Sequence, residues 1–148
     1  MIVQHDRSGA VRIVINKPIG KTSIASLFDT SGRGHDVAGE VRVFSGGPVQ
    51  PEVGSVVHSA DYRRPETVAI SDHLSMTSSL DILRDIGAKK GPAKILVAFG
   101  YTGWGPNQLE REIDAHGWAI AEADPALIFD EDRDKVWGHA WEHRTENL

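Results

Sequence analysis

The apolar positions of this chain follow two patterns. Alternating or continuous apolar runs predict strands, and apolar residues spaced three or four apart predict helices. Residues 94–99 are almost continuously hydrophobic, which is typical of a strand covered on both faces in the middle of a sheet. Pro18 is expected to end an earlier strand, because proline cannot extend a hydrogen-bonded ladder. Shorter runs rich in valine and isoleucine predict further strands at 11–16, 41–44, 55–58, 67–70 and 118–121.

Apolar residues at a spacing of three or four predict four short helices. Thr22 or Ser23 can cap the first, and Ser78 with Asp81 resembles a capping box at the start of the second. Glycine residues are expected to stop the second and the third. The predicted inner faces are Ile24, Leu27 and Phe28; Leu80, Leu83 and Ile86; Leu109, Ile113 and His116; and Val136, Trp137, Ala140 and Trp141.

The order of these elements favours one fold class. Strands in a meander come first and strands alternating with helices come later, which does not fit a doubly wound sheet. The order predicts an α+β fold in which about four helices pack around a mixed sheet. At 148 residues the chain suits one domain, which buries roughly two thirds of the surface that the unfolded chain exposes.

Composition narrows the function classes. The chain has no cysteine, which excludes disulfides and thiolate chemistry and agrees with a reducing compartment. No apolar run approaches the roughly 20 residues that a membrane helix needs, and the N-terminus lacks a signal-peptide pattern, so we expect a cytoplasmic protein. The formal charge of -5 would repel a phosphate backbone, which argues against nucleic acid as a partner.

Several separate sequence words occur in the order found in one bacterial family. They are Val14-Ile15-Asn16-Lys17-Pro18, Ser45-Gly46-Gly47-Pro48-Val49, Val57-His58-Ser59, Gly100-Tyr101-Thr102-Gly103-Trp104, Gln108-Leu109-Glu110 and Ala123-Asp124-Pro125-Ala126-Leu127-Ile128-Phe129. On these words the chain resembles the YqgE/AlgH family over nearly its whole length. The resemblance implies an α+β fold whose sheet curls toward a pseudo-barrel, a cytoplasmic location in bacteria, and no settled molecular activity.

Three features depart from the family pattern. Relatives start earlier, so we expect either that Met1 is a late start or that the single YqgE/AlgH-like domain at 1–148 lacks the usual N-terminal strand segment. Arg12 stands where relatives favour glycine, and the tail at 141–148 does not match theirs. Because a missing edge strand leaves backbone groups unpaired, association with a second copy of the chain is a further expectation.

The glycine-rich segment 100–105 is the strongest candidate binding element. Free amides at such a bend, just before a helix, can hold a phosphate or carboxylate. Its glycine order fits no phosphate-binding motif and Pro106 removes one donor, so the alternative is that the glycines let two aromatic rings fold onto the core. The candidate ligand- or partner-binding residues are Ser45, Gly46, Gly47, His58, Gly100, Tyr101, Gly103 and Trp104.

The four tryptophans differ in their expected positions. Trp104, which lies between glycines, is expected to be partly exposed and is therefore a candidate for partner contact. Trp118, Trp137 and Trp141 fit core or interface faces.

Two patterns that suggest catalysis have simpler explanations. His139, Glu142 and His143 have the H-x-x-E-H spacing of inverted zinc peptidases, but only five residues follow, which leaves no helix to supply a third ligand. Histidine, serine and aspartate near 58–61 are the residue types of a hydrolytic triad, but no G-x-S-x-G elbow accompanies them. The sequence therefore predicts no catalytic residue, no metal and no cofactor.

The preferred interpretation is a noncatalytic binding or regulatory protein whose partner is an unknown protein or a small anionic ligand. The alternative is a small hydrolase-like enzyme acting on an anionic metabolite, with His58 or Asp72 handling protons. A transcriptional regulator is third, since nothing resembles a helix-turn-helix. A concave pocket that joins 100–105 to His58 within hydrogen-bond reach would favour the enzyme, and a flat patch lined by aromatic rings would favour the binder.

Overall fold

The computed structural model describes residues 1–28 and 36–145. Within these ranges the chain forms an α+β fold, in which an eight-stranded mixed sheet curls into a half-barrel and short helices pack around it. The fold class predicted from the sequence is therefore confirmed. Among the described helices, none is both long enough and apolar enough to cross a membrane.

The described elements alternate between strands and short helices. The strands are β1 (Ile2–Asp6), β2 (Gly9–Arg12), β3 (Pro18–Ser23), β4 (Glu40–Ser45), β5 (Val49–Ser59), β6 (Thr67–Ala69), β7 (Leu74–Thr77), β8 (Ile95–Trp104), β9 (Ile120–Ala121) and β10 (Arg144–Thr145). The helices are α1 (Ile24–Leu27), α2 (Asp81–Gly87), α3 (Gln108–Asp114) and α4 (Val136–Glu142), with a π-helical turn at Ala126–Asp130.

Strand β8 is the centre of the sheet, as its continuous hydrophobic run predicts. It pairs antiparallel with β5 along one edge, and its other edge is shared by β4, which runs parallel to it, and β2, which runs antiparallel. The strand order β1-β2-β8-β5-β7-β6, with β3 and β4 joined beside β8, gives the mixed sheet. Leu96, Val97 and Ala98 are at most 2% exposed, because both faces of β8 are covered.

The two faces of the sheet carry two separate hydrophobic clusters. Leu96 and Ala98 point into one cluster together with Ile128 of the π-helical turn, and Val97 points into the other, which α1 and α2 cover. This division follows from the strand period of two, since successive side chains lie on opposite faces. Full burial of a leucine, valine or isoleucine side chain such as these contributes about 1.5–3 kcal/mol to the free energy of unfolding.

A third, smaller cluster fixes α3 to the end of the sheet. Leu109 of α3 is buried against Ala10 of β2 and Trp104 of β8, and Ile113 packs beside them. Leu109 and Ile113 therefore lie on the inner face of α3, as predicted. His116 lies outside it, because the residue is exposed and has a left-handed φ of 57° after the helix has ended.

Several local predictions require correction. Most of the segment 100–105 is not a bend, because β8 continues through it as far as Trp104. The capping box at Ser78 is absent, since Ser79 accepts the hydrogen bond from the Asp81 amide instead, whereas Ser23 caps α1 as expected. Pro18 begins β3 rather than ending a strand, a position where no backbone donor is needed.

The glycines at 46, 47 and 100 allow two chain segments to touch backbone to backbone. A Cβ on Gly46 would lie 2.3 Å from the Gly100 carbonyl oxygen, and a Cβ on Gly100 would lie 2.2 Å from the Gly47 carbonyl oxygen. Gly100 also has a φ of +76°, which favours glycine. These glycines therefore let the chain after β4 approach β8.

We expect Gly100→Ala to lower the free energy of unfolding by about 2 kcal/mol or more, because the added methyl group meets a carbonyl oxygen in a left-handed backbone conformation. Gly138→Ala is the matched control, since its Cβ meets no atom within 4 Å. Gly138 lies inside α4, so alanine there should stabilise the protein by about 0.5–1 kcal/mol. Urea denaturation measures both changes, and similar stabilities for the two variants would contradict this explanation of Gly100.

Candidate functional site: a cleft lined by tryptophans

The predicted binding residues are only partly brought together. Gly46 and Gly47 meet Gly100 and Tyr101, as the close backbone contacts show. The Gly46 amide is already occupied, because it donates a hydrogen bond to the Phe99 carbonyl at 2.8 Å. In this arrangement the glycines serve the contact between two backbone segments.

His58 is fully buried at the other end of β8. It pairs with Ile95, whereas Gly54 pairs with Phe99. Ile95 and Gly100 are five positions apart, which corresponds to about 16 Å along a strand. The structure therefore does not place His58 beside the glycine segment.

A chain of hydrogen bonds explains why a histidine lies in this core. The Arg64 amide donates to Thr67 Oγ1 at 2.8 Å, and Thr67 and Thr77 share a hydrogen bond of 2.8 Å. His58 Nδ1 lies 2.8 Å from the Ser59 carbonyl, which can only accept, so Nδ1 carries the proton. His58 Nε2 then accepts from Thr77 Oγ1 at 2.9 Å.

Burial lowers the pKa of His58 below its ordinary value of 6.5, although the Ser59 carbonyl and Asp61 oppose this shift. Protonation at Nε2 would require the Thr77 hydroxyl to reverse its donor direction. His58 is therefore a structural group of the core that favours the neutral form.

A cleft of about 810 Å³ lies between the β1–β2 hairpin, the end of β8, α3 and α4. We call it the tryptophan cleft, because all four tryptophans of the chain line it: Trp104, Trp118, Trp137 and Trp141. Of the eight predicted binding residues, all of which are described, Trp104 is the one that lines this cleft.

Glu112 holds two of the indoles in place. Its Oε2 accepts hydrogen bonds from Trp104 Nε1 at 2.9 Å and from Trp118 Nε1 at 2.7 Å, and its Oε1 accepts from Gln108 at 3.0 Å. The Trp104 and Trp118 rings meet edge to face, with centroids 5.6 Å apart. Hydrogen bonds from Trp118, Trp104 and Gln108 hold the pKa of Glu112 below its ordinary value of 4.5.

Arg12 lies against the same two rings. Its Cζ is 4.8 Å from the Trp118 ring centroid and 5.3 Å from that of Trp104, which is the range of a cation–π contact. In the sequence, Arg12 is a departure from the family pattern to which no local pattern gives a role. Its ring contacts join residues far apart in the chain, so no local pattern shows them.

The other two indoles form a stacked pair on α4. The ring centroids of Trp137 and Trp141 are 5.4 Å apart and the planes differ by 10°. Trp137 is 65% exposed and Trp141 is 46% exposed, whereas Trp104 is only 8% exposed. The expectation that Trp104 is partly exposed is therefore wrong, because its ring packs on Leu109 and Ala10.

Arg133 positions α4 relative to the sheet. The residue is 8% exposed, and its guanidinium donates to the carbonyl oxygens of Ile128 at 2.8 Å, of Leu127 and Ile15 at 3.2 Å, and of Glu131. The bond to Ile15 joins residues 118 positions apart. These bonds fix the start of α4, and with it the wall of the tryptophan cleft that Trp137 and Trp141 form.

The H-x-x-E-H residues do not converge. His139 pairs with Glu131 and not with Glu142, and His143 Nδ1 donates to the His139 carbonyl. Within 1–28 and 36–145, no group of three or more His, Asp or Glu side chains is arranged to hold a metal ion.

Comparison with known proteins places this fold in a family. The AlgH-like family model matches residues 1–148. The chain belongs to the AlgH-like family. The resemblance to the YqgE/AlgH family that the sequence words indicate is thereby confirmed.

Relatives of this AlgH-like chain support the assignment in sequence and structure. It is 37% identical to a UPF0301 protein of Methylococcus capsulatus, over 96% of this chain and 78% of that protein. It is 39% identical to a UPF0301 protein of Sphingopyxis alaskensis, over 95% and 75% of the two chains. The solution structure of the AlgH protein from Pseudomonas aeruginosa matches with a TM-score of 0.78 and 31% identity, over 96% of this chain and 76% of that one.

We expect His58→Gln to lower the free energy of unfolding by about 1–3 kcal/mol and to reduce its dependence on pH. Because the pKa of His58 is lower in the folded than in the unfolded protein, its contribution is present above about pH 6.5 and is lost as the pH falls. Urea denaturation between about pH 8 and pH 5 measures this difference.

Burial and the charge of Arg12 lower the pKa of the Met1 amino group to about 5. This group titrates over the same pH range in both proteins, so its contribution cancels in the comparison. Parallel pH profiles for the original protein and His58→Gln would contradict a neutral, buried His58.

We expect Glu112→Ala to release the indoles of Trp104 and Trp118 from their shared acceptor. The tryptophan emission should shift to the red and the thermal midpoint should fall. In the original protein the same change should occur as the pH falls below about 4.5, since protonation weakens an acceptor whose folded pKa is depressed. Glu142→Ala, an exposed change on α4, is the control and should leave emission unchanged.

Proposed function

We propose that this AlgH-like chain is a noncatalytic binding protein of the bacterial cytoplasm whose ligand occupies the tryptophan cleft. The observation that carries the proposal is the concentration of all four indoles around one concavity of about 810 Å³. Small-molecule sites typically have volumes of 300–1,000 Å³ and mostly apolar linings with a few polar groups, on the order of what is found here.

The exposure of the α4 indoles supports this proposal. Trp137 and Trp141 present large apolar surfaces to solvent, although nothing in the packing of the core requires them there. Their stacking limits the motion of both rings, so a ligand would lose little additional side-chain freedom on binding. An exposed, ordered aromatic pair beside a cleft is therefore suited to contact a ligand.

The enzyme alternative receives no comparable support. Its proposed proton-handling residue, His58, has both ring nitrogens occupied and lies about 16 Å along the sheet from the glycine segment. Asp72, the other candidate, is exposed at the turn between β6 and β7 and does not line the tryptophan cleft. The regulator alternative receives no support from the charge of the chain either, since a net charge of -5 does not favour DNA.

We expect the cleft to bind the neutral fluorescent dye N-phenyl-1-naphthylamine, whose emission rises in apolar surroundings. The double variant Trp137→Ala, Trp141→Ala should weaken this binding by roughly tenfold or more, which corresponds to about 1.4 kcal/mol. It should change the free energy of unfolding little, because both rings are largely exposed. Dye titration and urea denaturation measure the two effects.

The matched control removes exposed apolar side chains elsewhere. Ile19→Ala and Val68→Ala shorten residues that are 66% and 52% exposed and lie outside the cleft. They should leave dye affinity within about twofold, a difference smaller than the tenfold step. Equal losses in both sets of variants, or no binding by the original protein, would reject the cleft as the site.

A further inference from the structure

Arg12 carries a charge that the described protein leaves unpaired. Its residue is partly buried, and its Nε is buried without a hydrogen-bond partner. Its guanidinium lies over the faces of Trp104 and Trp118, at 5.3 and 4.8 Å, and its charge also acts on the Met1 amino group. Because the described residues give this guanidinium no carboxylate partner and Arg12 lines the tryptophan cleft, its terminal amino groups are suited to a group that is supplied from outside.

The other buried or half-buried arginines of the described chain have polar partners. Arg64 pairs with Asp85 at 2.9 Å, Arg84 with Asp81 at 3.8 Å, and Arg144 donates to the Trp141 carbonyl at 2.8 Å. Arg133 donates to carbonyl oxygens of the chain. Arg64 Nε is likewise buried without a hydrogen-bond partner, but Asp85 pairs with the Arg64 guanidinium. Arg12 differs because no carboxylate of the described residues pairs with it, and because it borders the tryptophan cleft with the faces of two indoles.

The charges around the cleft favour an anion. Arg12 and Arg144 line it together with the single carboxylate of Glu122, whereas His5 is paired with Glu110. Glu112 is satisfied by donors from Trp104, Trp118 and Gln108, so it offers little to a cation. The opening thus has more positive than negative side chains, although the whole chain is acidic.

An indole-lined cleft also suggests a cationic ligand, since aromatic cages bind quaternary ammonium groups. Here the guanidinium of Arg12 already lies over the rings of Trp104 and Trp118. A second cation near these rings would be repelled by Arg12. The arrangement discriminates against cations and favours an anionic group at this end of the cleft.

We propose that the tryptophan cleft binds a small ligand with one anionic group and an aromatic or otherwise apolar body. Arg12 donates hydrogen bonds to the anion, and the body packs against the indole rings. This inference rests on the proposed function, and it adds the chemical class of the ligand. A charge-assisted hydrogen bond from a guanidinium is among the stronger polar contacts available to a protein.

Two dyes that differ by one charged group test this proposal. 8-Anilinonaphthalene-1-sulfonate has the same ring system as N-phenyl-1-naphthylamine and adds a sulfonate. We expect the sulfonate dye to bind the original protein roughly tenfold more tightly than the neutral dye. Arg12→Met keeps an apolar stem of similar length, and it should reduce affinity for the sulfonate dye to that for the neutral dye.

Arg63→Met is the matched control, because it removes the same charge from an exposed position outside the cleft. It should leave both affinities unchanged. A measurement on the original protein alone avoids dependence on the folding of Arg12→Met: 1-naphthoate should displace the bound neutral dye, whereas its neutral amide should do so at least about tenfold less well.

The outcomes distinguish the anionic class of the ligand from the binding function of the cleft. Equal affinity for the two dyes, together with equal displacement by acid and amide, would overturn the anionic ligand class and leave the cleft as an apolar binding site. No binding of either dye would overturn the proposed function and this inference with it. Equal effects of Arg12→Met and Arg63→Met would show that net charge, and not a contact with Arg12, attracts the sulfonate.

Discussion

Strand β8 forms hydrogen bonds with β5 along one edge and divides its other edge between β4 and β2. A strand with three partners and two covered faces has little freedom of register, because a shift by one residue would exchange its two sets of buried side chains. The residue alternation at 96–98 separates the two main clusters of the core. This pairing also requires the chain after β4 to approach β8 so closely that Gly46, Gly47 and Gly100 have no room for a side chain.

The same strand determines where the candidate site lies. Its last residue, Trp104, is held between β2 and α3, and the indole nitrogen reaches Glu112 on α3. Glu112 in turn holds Trp118, and Arg133 connects the start of α4 to the Ile15 carbonyl. One wall of the tryptophan cleft thus depends on β8 and α3, and the opposite wall depends on a buried arginine that bonds carbonyl groups.

The parts of this fold that local patterns predict are those that local forces determine. The hydrophobic run at 94–99 predicts β8 because burial on both faces leaves a continuous signal, and Ser23 predicts the start of α1 because a cap acts over three residues. The cleft has no such signal, since Arg12 and Trp118 meet only through the tertiary fold. His58 shows the converse problem. Its residue type suggested chemistry, whereas its hydrogen bonds to Thr77 and the Ser59 carbonyl reveal a core role.

Most buried polar groups of a natural protein have hydrogen-bond partners, and most of its large apolar side chains are covered. Exceptions to both rules are informative where they lie close together in space. An exposed tryptophan has many explanations, and a guanidinium with an unpaired buried nitrogen has several. Here Trp137 and Trp141 on one side and Arg12 on the other border the same concavity, although they belong to α4 and β2, at opposite ends of the chain. These two departures meet in space, and the ligand class that we propose would account for both: its body would cover the rings and its charge would pair with the guanidinium.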